Sequence, residues 1–228
     1  MRVCLLGLLN YNCVELNDFE KARRRLIDDL KADGIIVSRE VEEAMLSVPR
    51  HLFVPNYIRH YAYQDTPLVI MKGQTISAPH MVAIMCELIK PRRGMRILEV
   101  GAGTGYQACV CAKAIGDGVV YSVEIDPYIA LYAAINVIHA GFSNMVKVYH
   151  GDGKLGLPKY APFDAILVTA AASTVPQPLL DQLKMDGVMV IPLKESGYQR
   201  LYVIEKGKEG CRKRFITKVS FVDLRRDE

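Results

Sequence analysis

A short apolar run, Met95-Arg96-Ile97-Leu98-Glu99-Val100, ends abruptly in Gly101-Ala102-Gly103-Thr104-Gly105, and a helical pattern follows from Thr104 to Ile115. Glycines at such a turn permit positive φ and let a ligand approach the backbone closely. The helix start beyond them adds unpaired N–H groups. A dinucleotide-binding fingerprint needs a third glycine where Tyr106 stands, so that reading fails. The same alternation continues outward. Val119–Ile125 reads as a strand and Pro127–Ala140 as a helix, and Val146–Tyr149, Ala165–Thr169 and Val188–Pro192 read as further short strands. Pro178–Lys184 supplies a helix between the last two. Alternating strands and helices predict an α/β fold with a doubly wound, mostly parallel sheet.

The flanks read differently. Phe19, Leu26, Ile27 and Leu30 form an apolar stripe that predicts a helix over Asp18–Asp33, and Ser38 opens a second, short helix through Ser47. Residues 50–77 lack a clean period and read as structured loop; Pro79–Lys90 is helical again. Near the C-terminus, Arg200–Glu205 and Phe215–Val222 read as strands joined by a hairpin-like loop, with an antiparallel closing strand. The domain reading is a lead segment over residues 1–17 and a single domain over 18–228. Within it, 18–90 is a helical annex with the structured loop, and 91–228 is the α/β core.

Composition narrows the classes. The chain has 228 residues, half of them hydrophobic and 24% charged, which excludes disorder and small disulfide scaffolds. The net charge of +4 is mild and the basic residues are dispersed, so no nucleic-acid track is expected. No apolar stretch reaches the ~20 residues of a bilayer span, and Val3–Leu9 is short for a signal peptide. The expectation is a cytoplasmic monomer. Six cysteines (Cys4, Cys13, Cys86, Cys109, Cys111 and Cys211) show no metal spacing and are expected to be free thiols. The histidines form no HxxxH pair, so no metal is expected.

Two carboxylates sharpen the glycine turn. Glu124 stands 21 positions after Gly103, at the end of the next strand, where it can accept both hydroxyls of a ribose. Asp152, in Gly151-Asp152-Gly153, follows the third strand, where an adenine amino group would be read. Together with the turn itself they bring three strand ends to one crevice. The pattern Glu99-x-Gly101-x-Gly103-x-Gly105 resembles the first motif of S-adenosylmethionine-dependent methyltransferases. That resemblance implies their fold type and the cofactor S-adenosyl-L-methionine, with S-adenosyl-L-homocysteine as product.

A second set of segments is more diagnostic. Gly73-Gln74-Thr75-Ile76-Ser77-Ala78-Pro79-His80-Met81 is similar to the signature of the protein-L-isoaspartate (D-aspartate) O-methyltransferases. So are Phe53-Val54-Pro55, Tyr61 to Leu68, Ala161-Pro162-Phe163-Asp164-Ala165-Ile166, and Val168-Thr169-Ala170-Ala171-Ala172. The resemblance implies a repair enzyme that methylates the free α-carboxylate of L-isoaspartyl, and by the family's name D-aspartyl, residues in damaged proteins. It implies cofactor contacts from Gln74, Thr75, Ile76, Ser77, Glu99, Gly101, Gly103, Thr104, Gly105, Glu124, Ile125, Asp152 and Gly153. It implies substrate contacts from Ser77, Ala78, His80 and Val222, with Ser77 as the catalytic residue. Taken without the resemblance, Ser77 reads first as a helix N-cap and His80 as a helix-surface or packing histidine. The family's usual Phe-Val-Pro-Leu is Phe221-Val222-Asp223-Leu224 here. Two other readings stay open: a methyltransferase on another acceptor, and a non-catalytic protein that keeps the fold for binding.

Overall fold

The computed structural model describes residues 3–225, with side chains from Asp18 onward. Helix α1 (Val3–Ala32) and helix α2 (Arg39–Ser47) form the annex, and the lead residues from Val3 are continuous with α1. Ser38 caps α2, its hydroxyl accepting from Val41 N at 3.3 Å. The stretch read as loop contains two 3₁₀ turns, Arg50–Phe53 and Asn56–Tyr61, and a small hairpin of β1 (Leu68–Val69) and β2 (Thr75–Ile76). Helix α3 (Pro79–Leu88) follows, with proline tolerated at its first position, where the N–H has no helical partner.

The core sheet comprises β3 (Arg96–Val100), β4 (Val119–Glu124), β5 (Val146–His150), β6 (Phe163–Val168), β7 (Leu183–Glu195), β8 (Tyr198–Gly207) and β9 (Gly210–Val219). Their order is β5-β4-β3-β6-β7-β8-β9. The first five pair in parallel, and β7-β8-β9 pair antiparallel. From β3 the chain proceeds outward to β4 and β5, then returns to β6 on the other side. This reversal opens a crevice beyond the carboxyl ends of β3 and β6. Side chains alternate across the sheet. Ile97, Val120, Ala165 and Leu167 join the core toward α3 and helix α4 (Tyr106–Ala114), whereas Leu98, Val123, Ile166 and Val168 pack on the opposite face. Helix α5 (Pro127–His139) starts at Asp126, whose carboxylate caps it from 2.9 Å.

Three expectations need correction. The helix before the fifth core strand is α6 (Gln177–Gln182), and Leu183 and Lys184 already belong to β7, where Leu183 pairs with Phe163. The last strand is Gly210–Val219, because the register with β8 ends at Gln199↔Val219; residues 220–224 leave β8, and Asp223 forms an isolated parallel bridge to Ala171. Cys86 and Cys111 are not free: they are joined as a disulfide, their Cα atoms 6.0 Å apart. The reason is tertiary, since each lies on the facing side of its helix where α3 crosses α4. Cys109, two positions earlier on α4, remains a buried free thiol. Among the described residues no helix is long and apolar enough to cross a membrane.

Candidate active site

The crevice is a cavity of about 460 Å³. Three segments supply most of its wall: the stretch from Gln74 to Val82 through the β2–α3 turn, the glycine turn after β3, and the chain from Lys218 to Arg225 at the end of β9; the ends of β4 and β6 and Gly153 add to it. Gly101 has φ +97°, and a Cβ there would collide with the Thr169 hydroxyl. That hydroxyl donates to Gly101 O at 2.7 Å and pins the turn to the end of β6. Gly101, Ala102, Gly103 and Thr104 line the cavity, and the missing side chains of the glycines let a ligand approach the backbone closely.

Glu124 is nearly buried at the cavity wall. One oxygen accepts from Gly103 N at 3.1 Å and the other from Asp126 N at 3.2 Å. The carboxylate thus sits between the glycine turn and the start of α5, where the position at the end of β4 had predicted it. Ile125 and Gly153 line the same end. Across the opening, Lys72 Nζ in the β1–β2 turn pairs with Asp126 at 2.8 Å and lies 4.0 Å from the Tyr128 ring centroid, tying the hairpin to α5.

Gln74, Thr75, Ile76, Ser77, Ala78 and His80 all reach the cavity. The N-cap reading of Ser77 does not hold: Ala78 occupies that position, and the Ser77 hydroxyl has no hydrogen-bond partner among the described residues. The start of α3 is served instead by Asp65, which accepts from His80 N at 2.8 Å and holds the His80 ring at 3.0 Å. Sequence reasoning missed Asp65, Thr169, Lys218 and Arg225. The first two act through contacts 15 and 68 positions away in the chain, which no local pattern announces.

Three expected residues stand behind the cavity wall. Gly105, at φ +85°, packs against α5: a Cβ would lie 3.0 Å from Val137 and 3.1 Å from Ala133 O. Asp152 turns back to accept from Lys154 N at 2.8 Å, leaving the adjacent Gly153 at the surface of the site. Glu99 is fully buried on the α4 side of the sheet. Its Oε2 accepts from the hydroxyl of Ser122, its cross-strand partner on β4, and its Oε1 has no partner among the described residues.

Burial pushes the Glu99 carboxyl up to about 8; the Ser122 bond opposes that shift and the charge of Glu124 adds to it. The folded protein therefore holds this proton more tightly than the unfolded chain does. The resulting stabilisation is complete below the ordinary value of 4.5 and is lost as pH rises through about 8. Glu99→Gln keeps the hydrogen-bonding shape without the ionisation. Its stability advantage over wild type is expected to grow between those two pH values to the order of a few kcal/mol, then to level off. Urea titrations at pH 5, 7 and 9 check this, and a difference independent of pH would contradict it.

The family model described as protein-L-isoaspartate(D-aspartate) O-methyltransferase matches residues 21–228. The chain is 55% identical over 202 residues to a protein-L-isoaspartate O-methyltransferase of Pyrobaculum islandicum, covering 88% of this chain and 98% of that protein. Its identity to one of Hyperthermus butylicus is 49% over 215 residues, covering 90% and 89%. A Plasmodium falciparum structure described as such an enzyme, in complex with S-adenosyl-L-homocysteine, superposes with a TM-score of 0.79 at 29% identity, over 90% of this chain and 99% of that one. Another protein-L-isoaspartate O-methyltransferase structure gives 0.82 at 32% identity, over 88% and 65%. On the strength of the family match and of relatives at half identity over nearly their whole length, this chain belongs to the protein-L-isoaspartate(D-aspartate) O-methyltransferase family.

Proposed function

We propose that this protein is a repair methyltransferase that esterifies the free α-carboxylate of isoaspartyl residues, using S-adenosyl-L-methionine. The carrying observation is one continuous cavity with a glycine turn and Glu124 at one end and the unengaged Ser77 hydroxyl on its wall. S-adenosyl-L-methionine supplies a methyl group activated by a sulfonium. The residues present fit it: the glycine turn from Gly101 to Gly103, which lines the cavity, leaves room for its flat and polar parts, and Glu124 offers carboxylate oxygens to its ribose hydroxyls. Ile125 and Gly153 would flank the base, with Asp152 acting through the turn it caps rather than by direct contact. Gln74, Thr75 and Ile76 would close the cofactor from the hairpin side.

A carboxylate is nucleophilic at neutral pH, so no general base is needed. The work left to the protein is desolvation and alignment. Ser77 Oγ would donate to the acceptor carboxylate, with Ala78 and the Asp65-held His80 fixing the wall beside it. Val222 would meet the substrate main chain through its N–H, because its carbonyl already accepts from Ala171 N at 2.8 Å. In the product, the next backbone nitrogen can attack the methyl ester, expel methanol and close a succinimide, whose hydrolysis returns part of the chain to ordinary aspartate.

Asp223 does not oppose this reading. Its carboxylate pairs with Lys194 at 2.7 Å, and both side chains are substantially exposed. Its N–H donates to no group among the described residues. Asp223→Pro removes a surface ion pair worth under ~1 kcal/mol and is expected to change catalytic efficiency less than about tenfold. A wild type inert on isoaspartyl peptides and rescued by Asp223→Pro would show that the aspartate repels substrate. The acceptor itself is tested by the chemistry of the product. An isoaspartyl peptide incubated with the protein and cofactor should gain one methyl, as a base-labile ester; a base-stable methyl would place the transfer on nitrogen or another acceptor.

A further inference from the structure

Two cations on the substrate side of the cavity stand without a carboxylate partner among the described residues. Lys218, the penultimate residue of β9, and Arg225, just past its exit, both line the cavity, and both are exposed. Neither has a carboxylate partner among the described residues. The acidic groups nearby are already engaged. Asp223 is held by Lys194. Asp65, beside the start of α3, is held by the His80 N–H and ring. Glu195 serves Arg200 at 3.2 Å and Lys213 at 3.8 Å and accepts the Tyr202 hydroxyl at 2.5 Å. Arg200, the cross-strand partner of Lys218, is another cation and is itself paired with Glu195. Both stand beside Tyr198, the Lys218 ammonium 5.4 Å and the Arg200 guanidinium 5.0 Å from the ring centroid. The Tyr198 face partly neutralises these cations but offers no counter-charge.

Resting on the isoaspartyl reading, we propose that Lys218 and Arg225 are specificity-determining residues that select damaged sites flanked by aspartate or glutamate. A substrate peptide whose isoaspartyl carboxylate reaches Ser77 must leave the cavity along its walls, and Lys218 and Arg225 stand on the wall formed after β9. Acidic side chains leaving that way meet two cations that have no carboxylate partner among the described residues, and basic ones meet repulsion. Charges on a rim act mostly on encounter and on wrong-partner rejection, and they fade with salt. An alternative role for basic residues on β9 is to guard an edge strand against pairing with another chain. That role would leave peptide preference untouched.

The experiment compares kcat/KM for three isoaspartyl peptides that differ only in having glutamate, glutamine or lysine at the flanking positions. In wild type the glutamate peptide is expected to exceed the glutamine peptide by about three- to tenfold and the lysine peptide by more. This order should collapse at about 0.5 M NaCl, where screening reaches a few ångström. The double variant Lys218→Glu/Arg225→Glu should invert the order, with its melting temperature reporting folding separately. Equal rates in wild type, or an order the double variant leaves intact, would overturn the proposal. Failure to methylate even the glutamine peptide would instead overturn the isoaspartyl reading, and this inference with it.

Discussion

Glu124→Ala is expected to weaken S-adenosyl-L-methionine binding by about 1.5–3 kcal/mol, roughly 10- to 150-fold. Two losses add. The ribose hydroxyls lose a charged acceptor, and Gly103 N and Asp126 N lose the oxygens that hold them at 3.1 and 3.2 Å. The second loss loosens the glycine turn itself, so the affinity for S-adenosyl-L-homocysteine should fall in parallel. Glu124→Gln, which keeps one acceptor oxygen and the side-chain shape, should recover part of the binding. Titration calorimetry on folded variants checks both, and unchanged affinity in the alanine variant would remove Glu124 from the cofactor site.

Ser77→Ala is expected to lower kcat about ten- to a hundredfold while the cofactor Kd stays within about tenfold of wild type. The asymmetry follows from position. The half-buried residue lines the cavity and its hydroxyl engages no other group among the described residues, while Ala78 holds the N-cap position of α3 without a side-chain bond and Asp65 supports its first turn. Removing the hydroxyl therefore costs the fold nothing that thermal melting should register. A fall in melting temperature with activity intact would reassign Ser77 to holding the β2–α3 turn.

What the sequence disclosed depended on how local the signal was. The turn from Gly101 to Gly105 and the βα alternation around it are set by neighbours a few residues apart, and the doubly wound sheet follows from them. Glu124 was legible because a strand-end position is fixed by strand length and pleat. Glu99 was legible only as a buried acid in need of a partner. The partner, Ser122, is chosen by the β3–β4 register, which no spacing within either strand reveals. Asp65 and Thr169 escaped because each acts on a segment distant in the chain. Gly105 was assigned to the cofactor along with its neighbours, yet it is needed for close approach of α4 and α5. The Cys86–Cys111 pairing likewise follows from the crossing of two helices. The end of α6 was misplaced because Leu183 and Lys184 suit either a last helical turn or a first strand residue, and the pairing of Leu183 with Phe163 decides between them.

The central claim is that the cavity accepts the misplaced carboxylate of isoaspartate and not a carboxylate as such. Labelled methyl transfer to an isoaspartyl peptide, beside its aspartyl twin of identical sequence, tests it most directly. The two substrates share composition and charge and differ only in which carboxyl carries the chain. Methylation of the isoaspartyl peptide alone, with methanol released as the ester closes to succinimide, is the predicted result. Equal labelling of both peptides, or of neither while another acceptor is methylated, would contradict it.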